Sequence, residues 1–160
     1  MNEDILYGLQ SFDRVWDRVA GAPEASQPAV PADEAALREF IADESRDAAF
    51  YSALAGRAGW ASRTLRCIAA EERGHRKDLQ LEYFLLTGDT CVPEPSCPAV
   101  GAVLDSMRLA YANERKGAES YLAAAEATKS ERLGEMYRMH AADEMNHAET
   151  LRNLISRAIG

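Results

Sequence analysis

The sequence predicts an all-α protein: an antiparallel four-helix bundle with a long crossover between helices 2 and 3, preceded by a short amphipathic N-terminal helix. Three observations carry this. Four long segments each show an apolar seam at alternating spacings of three and four, the signature of one helix face. Runs alternating β-branched and aromatic residues are missing, while Ala, Leu, Glu, Arg and Met dominate. The seams also recur in two halves of the chain, as two copies of one helical hairpin would.

The elements follow in order. Residues 3–20 place Ile5, Leu6, Leu9, Phe12, Val15, Trp16 and Val19 on one helical face. So short a helix needs a surface to dock on. Its mixed charges, with no basic cluster, point to its own bundle or a partner subunit rather than a membrane. Residues 21–32 (GAPEASQPAVPA) hold three prolines and read as a linker. The expected division is thus 1–34 for leader and linker and 35–160 for the bundle. The first long seam runs Leu37, Ile41, Glu44, Ala48, Tyr51, Ala55, and Gly59 marks the break after it. The second runs Leu65, Ile68, Glu72, His75, Leu79. Residues 87–98 (TGDTCVPEPSCP), with three prolines and a glycine, form a longer connection. About twelve extended residues reach ~40 Å, enough to run the length of a bundle. The third seam runs Leu104, Met107, Tyr111, Glu114, Ala118, Tyr121, Ala125. Ser130 marks a tight turn before the fourth: Leu133, Tyr137, His140, Glu144, His147, Leu151, Leu154, Ala158.

Composition narrows the function classes. With 18 Lys plus Arg against 26 Asp plus Glu, the net charge of −8 gives no footprint for nucleic acid or an anionic membrane. The longest stretch without Asp, Glu, Lys or Arg is ten residues, 95–104, far too short to cross a bilayer. The acidic start, Met1-Asn2-Glu3-Asp4, is unlike a secretory signal, so a cytoplasmic location is expected. Cys67, Cys91 and Cys97 contain no C-x-x-C pair and cannot all pair within one chain, which fits a reducing compartment. Cys91 and Cys97 read as ordinary loop thiols, with a redox pair as the alternative.

Carboxylates and histidines in the middle of apolar stripes are the anomaly. Glu44 with Tyr51, then Glu72-x-x-His75, recurs as Glu114 with Tyr121, then Glu144-x-x-His147, at offsets of 114 − 44 = 70 and 144 − 72 = 72 residues. Positions i and i+3 are helix-surface neighbours, so each Glu-x-x-His pair can clasp one ion. A bare carboxylate in an apolar seam costs several kcal/mol unless paired or bound to metal. Two divalent cations cancel four carboxylates, and two imidazoles complete the ligand set, leaving −8 + 4 = −4 on the chain. Mixed oxygen and nitrogen ligands suit iron or manganese, with zinc possible. One such pair alone reads as solvated surface charge. Here two of the three histidines sit in duplicated motifs, in phase with the seam.

On Glu44…Tyr51, Glu72-x-x-His75, Glu114…Tyr121 and Glu144-x-x-His147, residues 37–158 resemble the ferritin-like superfamily, in particular its rubrerythrin branch. The resemblance implies two iron ions. Glu44 and Glu114 would be terminal or bridging carboxylates, Glu72 and Glu144 bridging, and His75 and His147 terminal nitrogens. It further implies a non-haem oxidoreductase reducing H2O2 or O2 as Fe(II) is oxidised. Bacterioferritins share the six-ligand pattern, so a ferroxidase or iron-storage role is the alternative; a structural metal-binding helical module, holding zinc for example, is another. Rubrerythrins carry a further carboxylate one turn after the third-helix glutamate, where this chain has Gly117. No rubredoxin-like C-x-x-C…C-x-x-C segment is present, so a separate electron-donor protein is expected, and a homo-oligomer with it.

Tyr51 and Tyr121 stand two turns from their own glutamates, ~10 Å along the axis. Each is expected to hydrogen-bond a ligand carboxylate on a neighbouring helix, the alternative being a core aromatic bonded to backbone. His140 shares the fourth seam, where the first copy has Ile68. A core histidine is the plainer reading, an accessory ligand, proton donor or gate the functional one.

Overall fold

The computed structural model describes residues 31–96 and 98–160. The N-terminal helix, most of the linker and Cys97 lie outside the described residues. Four helices run α1 (Pro31–Arg57), α2 (Ser62–Thr87), α3 (Val103–Ala127) and α4 (Glu131–Ile159), with a 3-10 turn at Gly59–Ala61. No strand occurs among the described residues.

Local chemistry sets the ends. α1 begins inside the stretch expected as linker, because Pro31 suits a first helical position whose N–H has no partner anyway. Asp33 and Glu34 in the first turn and Arg57 in the last complement the helix dipole. α2 stops at Gly88, whose φ of 79° is the left-handed conformation that a side chain would resist. The Ser130 side chain caps α4 by accepting from the Leu133 N–H at 3.3 Å.

α1 packs along α2 and α3 along α4. Tyr51 on α1 bonds Glu114 on α3, and Tyr121 on α3 bonds Glu44 on α1. Seven residues forward on α1 are therefore seven back on α3, so these helices are antiparallel. α2 is also antiparallel to α1, across the short turn. α2 and α3 thus run the same way, and the connection 88–102 must travel the length of the bundle. Its start is held where Gln80 donates to the Cys91 carbonyl at 2.6 Å, and its end where Arg57 donates to the Val100 carbonyl.

Two apolar clusters fill the bundle. One, around Leu54, Leu65, Ile68, Met107 and Leu151, lies toward the α1–α2 turn. The other, around Leu37, Phe40, Leu79, Tyr83 and Tyr137, lies toward the opposite end. Phe40, Leu54 and Tyr83 widen the predicted seams. Leu104, Tyr111 and Ala125 are only half-buried, and Ala158 is exposed in the last turn of α4. Between the clusters sits a polar layer. Among the described residues no helix is long and apolar enough to cross a membrane.

Candidate metal centre

The polar layer takes one acidic residue from each of α1 and α3 and a Glu-x-x-His pair from each of α2 and α4. Glu44, Glu72, His75, Glu114, Glu144 and His147 are all buried, at 7% exposure or less. They form two overlapping groups, Glu44–Glu72–His75–Glu144 and Glu72–Glu114–Glu144–His147. Within each group the potential ligand atoms lie within 4.8 Å of one another. Glu72 and Glu144 belong to both. Neither hairpin contains a complete group.

Each imidazole turns Nδ1 inward. His75 Nδ1 lies 3.1 Å from Glu72 Oε2 and 3.6 Å from Glu44 Oε2. His147 Nδ1 lies 3.0 Å from Glu72 Oε1 and 3.5 Å from Glu114 Oε2. The 3.0 Å approach lacks hydrogen-bond alignment, leaving His147 Nδ1 and Glu72 Oε1 buried without partners among the described residues. Glu44 Oε2 and Glu114 Oε2 are orphaned likewise. Unmade hydrogen bonds at buried polar atoms cost ~1–3 kcal/mol each. Four orphans converging on one space are the vacancies that divalent cations satisfy, so the donor set fits two metal ions.

Other side chains orient the inner ones. The Tyr51 hydroxyl donates to Glu114 Oε1 and the Tyr121 hydroxyl to Glu44 Oε1. Two residues not singled out in the sequence join them: His75 Nε2 meets Asp143 Oδ2 at 3.3 Å, and His147 Nε2 meets Glu71 Oε2 at 2.7 Å. A proton on Nε2 shared with these acids leaves Nδ1 free as a ligand. Glu71 and Asp143 each precede the glutamate of a Glu-x-x-His pair, and each serves the histidine of the other hairpin.

Burial and crowding favour protonation across the layer. Burial disfavours a charged imidazole, but Glu44 and Glu72 outweigh it and push His75 up to about 10. Glu114 and Glu72 likewise outweigh burial at His147 and push it up to about 11. Burial and neighbouring carboxylates push Glu144 far above the carboxylate range. Burial raises Glu44 to about 8, although the nearby His75 imidazole opposes it. At Glu72 the two imidazoles overcome burial and hold it down at about 2. Burial, then the Glu114 and Glu72 carboxylates, lift Asp47 on α1 to about 7.

His140 is 2% exposed and stacks on His75 with ring centroids 4.3 Å apart. Neither of its ring nitrogens has a hydrogen-bond partner among the described residues, and it belongs to neither ligand group. Burial and the neighbouring His75 lower it to about 4, so its ring is neutral at pH 7.

Gly117 faces the same layer. A Cβ there would stand 3.1 Å from Glu144 Oε2 and 3.5 Å from its Cδ. The space beside Gly117 is taken by the Glu144 carboxyl, which rests against the α3 backbone. A cavity of about 260 Å³ opens between α1 and α3 and is lined by residues including Glu44, Glu114, Gly117 and Glu144.

No protein-family model matches the chain, and no curated protein matches it. Among solved structures it is similar to a hypothetical protein from Pyrococcus furiosus, 27% identical, with a TM-score of 0.69. That similarity covers 78% of this chain and 88% of the other. Among the described residues the fold is all-helical, with buried glutamate–histidine groups whose geometry could hold metal.

Proposed function

We propose that this is a ferritin-like, rubrerythrin-like di-iron carboxylate protein, a cytoplasmic non-haem oxidoreductase that reduces H2O2 or O2 and so defends against oxidative stress. The observation that carries the reading is the pair of overlapping ligand groups, each with three carboxylates and one imidazole and sharing Glu72 and Glu144. When bound there, iron supplies electrons to the oxidant through its ferrous–ferric couple. The chain does the rest. Tyr51 and Tyr121 fix the two lone glutamates, Asp143 and Glu71 fix the two imidazoles, and the flanking apolar clusters exclude bulk water.

Electrons come from a separate donor protein. The protein acts as a homo-oligomer, a reading supported by the exposed Leu81, Phe84 and Leu85 on α2. A second reading, Fe(II) oxidation for storage or transfer, draws on Gly117. No carboxylate stands one turn after Glu114, and Glu144 fills the adjoining space. Anaerobic Fe(II) loading followed by separate rapid mixing with O2 and H2O2 tests both. About two irons per chain and faster reaction with H2O2 support the peroxidase. Faster reaction with O2, with ferric iron accumulating beyond two per chain, selects iron handling. Iron that never changes oxidation state leaves a structural module.

A further inference from the structure

The six ligand residues are buried, so cations need a way in. Two cavities along the bundle differ in what they reach. The groove between α2 and α4, lined by Leu81, Met136 and Met139, touches no ligand residue. The cleft between α1 and α3 reaches three of the four ligand carboxylates, Glu44, Glu114 and Glu144. Its lining carries five acidic side chains against two basic ones, and Arg46, one of the two, is paired with Asp43. Glu44 and Glu114, 3% and 4% exposed, each keep an Oε2 without a hydrogen-bond partner among the described residues.

The cleft's geometry is asymmetric between the two halves. Asp47 and Gly117 are equivalent positions, each three residues after the lone glutamate of its hairpin. The antiparallel register of α1 and α3 sets Asp47, midway between Glu44 and Tyr51, level with Gly117 and Ala118. One wall therefore presents a half-buried carboxylate that forms no ion pair among the described residues, and the other has at Gly117 no side chain of its own but the Glu144 carboxyl lying against its backbone. An acid on one wall of a cleft whose other wall carries a ligand carboxylate is suited to passing a cation inward.

We infer that the α1–α3 cleft is the path by which divalent metal ions enter the centre, with Asp47 as the carboxylate that receives them before they reach Glu44, Glu114 and Glu144. This rests on the proposed metal centre. Carboxylates lining a cleft draw cations into it as they ionise and speed their entry, an effect that weakens as salt rises.

Co(II) is a suitable probe, because its visible bands report binding without oxidation. Equilibrium titration tests the centre and rapid mixing tests the path. The expected result for Asp47→Asn is two Co(II) per chain, as in wild type, taken up roughly tenfold more slowly at low ionic strength, with the gap narrowing in high salt. Ser120→Lys, which adds a cation at the exposed rim of the cleft, slows uptake in the same way. Glu135→Gln in the α2–α4 groove leaves the rate unchanged. Wild-type uptake rates in both cleft variants overturn the path while leaving the centre intact. Loss of a bound Co(II) in Asp47→Asn overturns it too, by making Asp47 a ligand. Wild-type protein that binds no Co(II) sinks the centre and the path together.

Discussion

Loading the centre should expel protons, and the structure says how many. At pH 7 His75 and His147, raised to about 10 and about 11, each carry one. Glu144 carries a third, and Glu44, raised to about 8 by burial, holds most of a fourth. Glu72, held at about 2, has none to give. Nδ1 and carboxylate ligands must be deprotonated to bind metal. Two dications should therefore release about four protons, and the net charge of the layer should hardly change. Apparent affinity for the pair of ions should rise steeply with pH, by about tenfold per pH unit for each proton released. The slope should slacken above pH 8, once Glu44 has ionised. The assay is a titration with Zn(II) or Co(II) in weakly buffered solution, reading released acid by pH-stat or by calorimetry in buffers of different ionisation enthalpy. Asp47, raised to about 7, adds a fraction of a proton at most if an ion passes it by. Release of two protons or fewer per two ions at pH 7 would refute the reasoning. It would mean that the metal-free centre is already ionised and its carboxylates tolerate one another.

The same protons govern stability without metal. His75, His147, Glu44 and Glu144 all bind protons more tightly folded than unfolded, so their contribution is lost as pH rises; between about 6.5 and 8 all four act together, and His140, already neutral there, no longer opposes them. Thermal melts in chelator should fall across that window, and even ~2 kcal/mol corresponds to roughly 4–8 °C in a chain of this size; a flat or rising Tm would contradict the assignment. Asp143→Asn and Glu71→Gln should each weaken metal binding by ~10–100-fold while leaving two sites, since they act through the histidine rings; unchanged affinity in equilibrium titration would show that the rings are held by packing alone. Gly117→Ala should raise the Tm of the metal-free protein by the helix propensity gained, ~0.5–1 kcal/mol, provided the Glu144 carboxyl shifts a few tenths of an ångström, and should lower metal affinity because that carboxyl is shared. A melt below wild type would mean that Glu144 cannot move.

The fold was legible because the seams kept phase over whole helices, and the six glutamates and histidines were visible as polar interruptions of those seams. The reach of Tyr51 and Tyr121 to opposite carboxylates could be argued from the two-turn offset and an antiparallel neighbour. Other features needed three dimensions. Glu71 and Asp143 lie one residue off the seam, about 100° round the helix, so in one dimension they look like solvated charges. They reach the histidines only because the second hairpin brings those rings alongside. Gly117 read as a missing carboxylate; in space it is where Glu144 lies against the backbone. Pro31 read as linker because prolines clustered around it, although its ring suits the first turn of α1.

That neither hairpin owns a complete ligand group bears on how such a centre can diversify. Two separate copies of one hairpin, related by a twofold axis, could assemble the same six ligands, but every change would then appear twice. Joining the copies through 88–102 removes that constraint. The two halves differ at Asp47 against Gly117 and at Ile68 against His140, all on or beside the polar layer. The two ligand groups consequently have unlike neighbours: the one with Glu44 and His75 has a second imidazole stacked on it, and among the described residues the one with Glu114 and His147 does not. Within one chain the two halves of the layer are free to differ, so any two ions bound there would have unlike surroundings and would fill in order rather than as equals.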